Sequence, residues 1–318
     1  MKNNTSTPSF TVVIPLYNKE SQISSTLESV LNQSFTDFEV ILINDGSTDK
    51  SVEVVEGFED DRIKLFHQEN QGASEARNQG VLKAESKYIA LIDADDLWLP
   101  NHLEELHKSI TLFPEASFYC NAYQLTLRPD FTQKATYSLE NIDKIQIVED
   151  YFQASLIHPI AHTSAVAFKK EDFWDIGGFR KHIVSGQDID LWIRFGLYKT
   201  IVFNPTYTSI YDRTVANSLT KKHLRRVKYE FLNSYNKEVE NAPKGFKRFL
   251  DLNRYAIAIQ CKYYNDKEVF SLLKKEINPR SLNWKQRLLL NTPSFVVIQL
   301  KKLHSYLISK GLYFTAFR

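Results

Sequence analysis

The sequence predicts an α/β fold: a mostly parallel central sheet with helices on both faces, continued by a mainly α-helical C-terminal region. Three observations carry that expectation. Through the first hundred residues, β-rich runs alternate with amphipathic stretches, the pattern of right-handed crossovers between parallel strands. Two polar clusters, Asn44-Asp45-Gly46-Ser47 and Asp93-Ala94-Asp95-Asp96, directly follow apolar runs, and open α/β sheets bind ligands beyond the carboxyl ends of their strands. The charge also changes sign along the chain. Residues 219–318 hold 21 Lys and Arg against 7 Asp and Glu, whereas the remainder holds 19 against 31. That shift predicts a boundary near residue 218, with one domain over 1–218 and a basic helical region over 219–318.

The elements follow in order. Phe10 to Ile14 reads as a strand stopped by Pro15. Ile23, Leu27, Val30 and Leu31 recur at helical spacing, with Asn18 as the expected cap. Glu39 to Ile43 is a second strand, Asp49 to Phe58 a short helix, and Ile63 to Phe66 a third strand. Ala73 to Ala84 is a second strong helix, Tyr88 to Ile92 a fourth strand, and a further helix begins near Pro100. Phe118 to Ala122 and Thr163 to Phe168 are strand-like, Gln124 to Glu149 has the look of a variable insertion, and Asp188 to Leu197 suits a helix. Beyond Leu219 the chain reads as helical, with interruptions around Pro243, Pro279 and Pro293.

Bulk properties narrow the function classes. With 318 residues, 43% of them hydrophobic, the chain can bury a sizeable core. Mean hydropathy is −0.34, and no apolar run reaches the ~18 residues of a membrane span. Met1 to Ser9 is polar and lacks a secretory signal's apolar stretch. Cys120 and Cys261 alone make neither a disulfide framework nor a thiolate metal site. A cytoplasmic protein is the expectation. The basic C-terminal stretch carries no recognisable nucleic-acid module, so nucleic acid is not an expected partner.

The chemistry concentrates at Asp93 to Asp96. Unpaired burial of such carboxylates costs several kcal/mol per ion, on the order given for isolated charges. Mg²⁺ or Mn²⁺ bound to carboxylate and phosphate oxygens relieves that cost. In an extended chain Asp93 and Asp95 share a face and address one ligand, with Asp96 turned away. The alternative is that Asp95 or Asp96 merely N-caps the next helix. Asp45, on a Gly-containing turn, can accept a hydrogen bond from a base N–H, and Gly46 lets backbone approach closely. No Gly-x-Gly-x-x-Gly follows the first strand, which argues against a dehydrogenase or another glycine-loop nucleotide enzyme.

Taken in order, Val13-Ile14-Pro15-Leu16-Tyr17-Asn18, Ile43 to Asp49, Gly72 with Ala76-Arg77-Asn78, Leu91 to Asp96, Gly177-Gly178-Phe179 and Gly186 to Arg194 form one pattern. Over about residues 9–218 it resembles a family 2 glycosyltransferase with the GT-A fold, whose nucleotide-binding half is Rossmann-like. The resemblance implies an inverting transfer of a sugar from a nucleotide-diphosphate donor, UDP-linked, to a saccharide or lipid-linked saccharide acceptor, in the setting of cell-surface polysaccharide or glycan assembly. It implies that Asp45 contacts the base and that Pro15, Tyr17 and Asn18 line the nucleotide pocket, with Arg77 also near the nucleotide. Asp95 then ligates Mg²⁺ or Mn²⁺ on the donor diphosphate, and Asp93 helps hold ribose or metal. Asp188 takes the place of the family's general base. The preceding residue is Gln187 where the family has Glu, which removes a like charge beside the base and leaves open a nucleotide-sugar-binding protein without transferase activity. Tyr211-Asp212-Arg213-Thr214 lacks the family's late His, and Arg213 is a substitute phosphate contact. Trp98 and Trp192 are candidate acceptor contacts. Among His67, His158, His162 and His182, none is nominated for catalysis. The basic C-terminal segment from Phe295 to Ile308 suits a peripheral contact with the inner face of the plasma membrane.

Overall fold

The computed structural model describes residues 7–128, 130–140, 142–212 and 224–309. In chain order the elements are β1 (Phe10–Leu16), α1 (Ile23–Leu31), β2 (Phe38–Asn44), α2 (Ser51–Glu56), β3 (Ile63–His67), α3 (Ala73–Lys83), β4 (Tyr88–Leu91), β5 (Leu97–Trp98), α4 (His102–Leu112), β6 (Phe118–Arg128), β7 (Phe131–Lys134) and β8 (Gln146–Val148). There follow α5 (Tyr151–Ala154), a 3₁₀ turn at Thr163–Ala165, β9 (Val166–Lys169), α6 (Lys170–Asp175), α7 (Gln187–Tyr198) and β10 (Ile201–Asp212). The C-terminal helices are α8 (Leu224–Ser234), α9 (Gly245–Tyr263), α10 (Lys267–Glu276), α11 (Trp284–Asn291) and α12 (Ser294–Ser309).

One sheet runs in the order β3-β2-β1-β4-β9-β6-β10-β5, with β7 paired to β6 and β8 to β10. β1, β2, β3 and β4 are parallel, as the alternation predicts. β9 lies antiparallel between β4 and β6, so the complete sheet is mixed. Successive side chains of β1 point to opposite faces. Val12 and Ile14 enter a core with Leu27, Leu42 and Leu103, while Val13 enters another with Ile41, Ala76 and Leu91. Burial on both faces explains why these strands read as continuous apolar runs. Gly80 is needed on α3, because a Cβ there would lie 2.3 Å from Val13 Cγ1.

Several expectations are corrected. The segment 124–149, read as a variable insertion with no element assigned, supplies the end of β6 together with β7 and β8. Asn18 does not cap α1, whose N-cap is Gln22. Asn18 instead sits at φ 51°, and its side-chain oxygen accepts a hydrogen bond from Thr48 N at 2.8 Å. Neither Asp95 nor Asp96 caps α4, which starts after Asn101.

The composition break near residue 218 coincides with a change to all-helical structure, and the break itself and Arg213 lie outside the described residues. Packing crosses it. Phe246 and Phe249 join Phe152 and Trp192 in one core, with Phe152 and Phe246 ring centroids 4.5 Å apart. The Asp150 carboxylate caps α5 by accepting from Phe152 N and Gln153 N, both at 2.9 Å. It also accepts from Gly245 N at 2.7 Å, tying the start of α9 to α5.

A buried histidine sets a pH dependence. His102 is fully buried between α4 and the sheet, its Nδ1 2.7 Å from Thr208 Oγ1. Burial pushes its pKa down to about 3. The unfolded chain protonates this group near pH 6.5, so stability falls as pH drops from there toward 3, by about 1.4 kcal/mol per unit. Urea unfolding at neutral pH and two units below 6.5 should show wild type losing about 2.7 kcal/mol more than His102→Asn. Equal losses would remove His102 as the cause.

Candidate active site

The site gathers along the carboxyl edge of β1, β2 and β4, next to the point where strand order reverses between β1 and β4. Pro15 does not stop β1, which runs through it to Leu16, with Pro15 in register with Ile43. Tyr17 is 46% exposed, so its ring is not part of the core. Asn18 and the Gly46 turn are laced together: Asn18 N donates to Ser47 Oγ at 3.2 Å, and Ser47 N donates to Asn44 Oδ1 at 3.0 Å. Gly46 holds φ 74°, and a Cβ there would meet Asn70 N at 3.1 Å, so glycine is required. Asp45 is buried and organises the next segment, accepting from Gln68 Nε2 at 2.7 Å and from Gln71 N and Gly72 N at 2.8 Å each. Three donors leave about one lone-pair site on this carboxylate for a ligand.

The acidic cluster is a turn and not an extended strand end, because Asp96 N donates to Asp93 O at 3.0 Å. The turn splits the three carboxylates as expected. Asp96 is buried, where it accepts from Ser164 Oγ and from Asp212 N. Burial, then the charge of Asp93, raises its pKa well above the ordinary carboxylate range. Asp93 and Asp95 are partly exposed, with side-chain accessibilities of 29% and 23%. Asp95 pairs with Lys19 from the loop after β1. Burial and the neighbouring Asp93 charge raise its pKa despite Lys19. Asp93 pairs with Arg77 of α3 at 2.5 Å. Arg77 is 5% exposed and lies 5.3 Å from the centre of the Phe179 ring. Its Nε and Nη1 are buried and make no hydrogen bond. Buried donors of that kind cost about 1–3 kcal/mol each until something accepts from them.

The candidate base, Asp188, lies on α7. Gly186, at φ 86°, turns the chain into α7 and leaves Asp188 inside the first turn, so Asp188 is not the N-cap. Asp190 is settled as structural. It is fully buried, accepting from Arg194 Nε at 3.0 Å, Arg180 Nη1 at 3.1 Å and Tyr235 OH at 2.6 Å. His162, set aside in the sequence, lines a cavity with Asp188 and feels the charge of Asp93 as well. Enclosure lowers its pKa, opposed by the charges of both Asp93 and Asp188. Its Nδ1 accepts from Ser164 N at 3.3 Å, and its ring packs 4.4 Å from Tyr211. Lys228 of α8 also feels Asp188, and burial lowers its pKa. His67 and His158 are engaged elsewhere, with Asn44 and Thr136.

Trp98 offers no open face to an acceptor, whereas Trp192 lines a cavity with Asp188. Trp98 is 4% exposed, stacks on His102 at 4.2 Å and donates Nε1 to Ser164 O at 2.7 Å. Trp192 is 2% exposed and stacks on Phe118 at 4.9 Å, and the cavity it borders measures about 190 Å³. Lys19, His162, Ser164 and Lys228 were missed in the sequence. Lys19 alone had a local signal, its place one residue beyond the candidate loop.

Comparison with known proteins gives the family and the fold. The model for glycosyl transferase family 2 matches residues 11–177. An uncharacterized glycosyltransferase of Rickettsia bellii is 36% identical over 187 residues, covering 57% of this chain and 25% of that protein. Glycosyltransferase YibD of Escherichia coli, also uncharacterized, is 45% identical over 103 residues, 32% of this chain and 30% of its own length. The match thus spans under a third of each of these relatives. Among solved structures, S. aureus TarS 1-349 in complex with UDP-GlcNAc superposes with a TM-score of 0.67 at 16% identity, covering 96% of this chain and 93% of that one. Mannosyltransferase PcManGT from Pyrobaculum calidifontis, in complex with GDP-Man and Mn²⁺, gives 0.57 at 20% identity over 94% and 88%. The fold is GT-A, with a helical C-terminal region. The chain belongs to glycosyl transferase family 2.

Proposed function

We propose that this chain transfers a sugar from a UDP-linked donor to a saccharide hydroxyl with inversion, in the assembly of a cell-surface glycan. One observation carries the reading: Arg77, paired with Asp93 of the acidic turn, keeps two buried donors without a partner among the described residues, and His162 lies under the charge of both Asp93 and Asp188. Asp45 and the Pro15–Asn18 loop receive the nucleoside, and Arg77 donates to the diphosphate. Asp188 accepts the acceptor's proton as its oxygen bonds the anomeric carbon and the bond to the diphosphate oxygen breaks. General-base help of this kind contributes typically 10²–10⁴-fold. Residues 1–218 carry the donor site and the base, and the helices within residues 224–309 pack beside them.

The residues present fit a divalent cation. Asp95 and Asp93 offer only oxygen, and burial, then the charge of Asp93, raises the pKa of Asp95, a cost that a bound cation would offset. Among the described residues no three His, Cys, Asp or Glu side chains gather into a metal site. That suits Mg²⁺ or Mn²⁺, which often take one or two carboxylates and complete the shell with phosphate and water. Bound there, the ion neutralises charge on the departing diphosphate. Thermal unfolding tests the reading. UDP with Mn²⁺ at 100 times its Kd should add about 2.7 kcal/mol of stability, and EDTA should remove most of it. No stabilisation by UDP, while GDP or another nucleotide gives it, would overturn the UDP assignment. No stabilisation by any nucleotide would sink the transferase reading.

The reading includes peripheral attachment to an anionic leaflet. No helix among the described residues is long and apolar enough to cross a membrane. Trp284 and Leu288 of α11 and Phe295 and Tyr306 of α12 are 59–69% exposed, beside exposed Lys285, Arg287 and Lys302. Each basic residue near such a surface contributes ~1 kcal/mol. The protein should sediment with phosphatidylglycerol vesicles and not with phosphatidylcholine alone, and Trp284→Ala with Phe295→Ala should abolish it. Sedimentation that ignores lipid charge and both substitutions would overturn the attachment.

A further inference from the structure

We infer that His162 holds the sugar being transferred, donating its Nε2 proton to a hydroxyl of that sugar. The inference deepens the transferase reading and rests on it.

Neighbouring groups fix the ring and its tautomer. Ser164 N donates to His162 Nδ1 at 3.3 Å, which caps the 3₁₀ turn Thr163–Ala165. A ring nitrogen that accepts carries no proton, so the neutral imidazole has its proton on Nε2. Tyr211 and Tyr123 pack on the ring, with centroids 4.4 and 4.9 Å away. His162 Nε2 has no hydrogen-bond partner among the described residues. It is the polar edge left to meet a ligand.

The place of the ring says which ligand. The Ser164 hydroxyl accepts from Asp93 N at 3.0 Å and donates to the Asp96 carboxylate. Through Ser164 the imidazole is held in fixed relation to the acidic turn. It also lines the cavity with Asp188 and feels the charges of Asp93, Asp188 and Arg77 together. In the proposed reaction Arg77 and Asp93 stand at the diphosphate, and Asp188 stands at the attacking hydroxyl. The sugar lies between those two groups during transfer, because its anomeric carbon exchanges one for the other. Phosphate charge is met by Arg77, and the acceptor's proton goes to Asp188. A neutral N–H suits what remains, an uncharged hydroxyl oxygen of the sugar. Anchoring that hydroxyl through Ser164 to the acidic turn orients the anomeric carbon relative to the diphosphate, and such orientation is a recognised source of rate.

Calorimetric titrations with Mn²⁺ present compare UDP with UDP-glucose, UDP-galactose and UDP-N-acetylglucosamine. His162→Asn keeps the cap, since its amide oxygen can take the place of Nδ1, and it removes Nε2. It should bind UDP as wild type does. It should bind the tightest of the UDP-sugars about 2–10-fold less well, the range of one hydrogen bond between neutral groups. His162→Gln, whose amide N–H reaches toward the place of Nε2, should recover part of that affinity while losing the cap and lowering the urea midpoint. Equal affinity of wild type and His162→Asn for every UDP-sugar overturns the inference. So does a loss that UDP shares in full, which would make His162 a support of the acidic turn. Should His162→Asn fail to fold, the imidazole ¹⁵N spectrum of wild type repeats the test. A neutral ring protonated on Nε2 should shift with the UDP-sugar and stay in place with UDP, and an equal response to both overturns the inference. Failure of the transferase reading looks different, because wild type then binds none of these nucleotides.

Discussion

Asp188→Asn should lower sugar transfer by about 10²–10⁴-fold while leaving UDP affinity within a factor of two or so, because only the proton acceptor is removed. The amide keeps the size and much of the hydrogen bonding of the carboxylate, so α7 should stay in place. Asp190→Asn should behave differently. Asp190 binds Arg194, Arg180 and Tyr235 in a closed network, and breaking a buried pair costs about 3–5 kcal/mol of stability. Turnover lost with an unchanged melting temperature therefore identifies Asp188 as the base. Turnover retained in Asp188→Asn would assign the base to another residue, and nucleotide binding without turnover in the wild type itself would support the non-catalytic rival that Gln187 leaves open. Comparing kcat with UDP affinity on one protein sample decides between these outcomes.

Arg77→Lys should weaken UDP binding by about 10–100-fold and leave the free protein as stable as before. Lysine can keep the charge pair with Asp93 but cannot offer a planar fork of donors. Each hydrogen bond to a charged group is worth about 1.5–3 kcal/mol, which sets the range. In the free chain Nε and Nη1 of Arg77 are buried without partners, so their loss removes a penalty and not a support. A helical arginine with only a structural role would show the opposite: stability lost and nucleotide affinity kept. Urea unfolding alongside UDP titration distinguishes the two.

The half of the site built from strand ends was legible in the sequence. Asp45, Asp93 and Asp95 each follow an apolar run directly, and a strand end in a doubly covered sheet opens toward a ligand. Asp188 was nominated by the resemblance alone, and the structure puts it in the first turn of α7 after Gly186. What could not be read was the other half. Ser164, whose hydroxyl accepts from Asp93 N, stands 71 residues away in the chain. His162 looked like any other histidine until β9 came to lie against β4. The missed strands β7 and β8 find their partners in β6 and β10, and cross-strand pairing leaves little local trace. Asn18 misled because an asparagine before a helix is a common cap, whereas here a positive φ turns its side chain to Thr48.

By itself the sequence determined the α/β alternation, the carboxylates at the sheet's edge and the helical character of the basic C-terminal stretch. Each is a matter of period and neighbour, written in residues a few positions apart. Tertiary structure alone decided that Asp96 and Asp190 are buried supports, that Lys19 and Arg77 answer Asp95 and Asp93, and that α9 helps wall the cavity beside Asp188. Those outcomes depend on which distant segments exclude water from one another, and that is fixed only when the sheet has closed and the helices have packed on it.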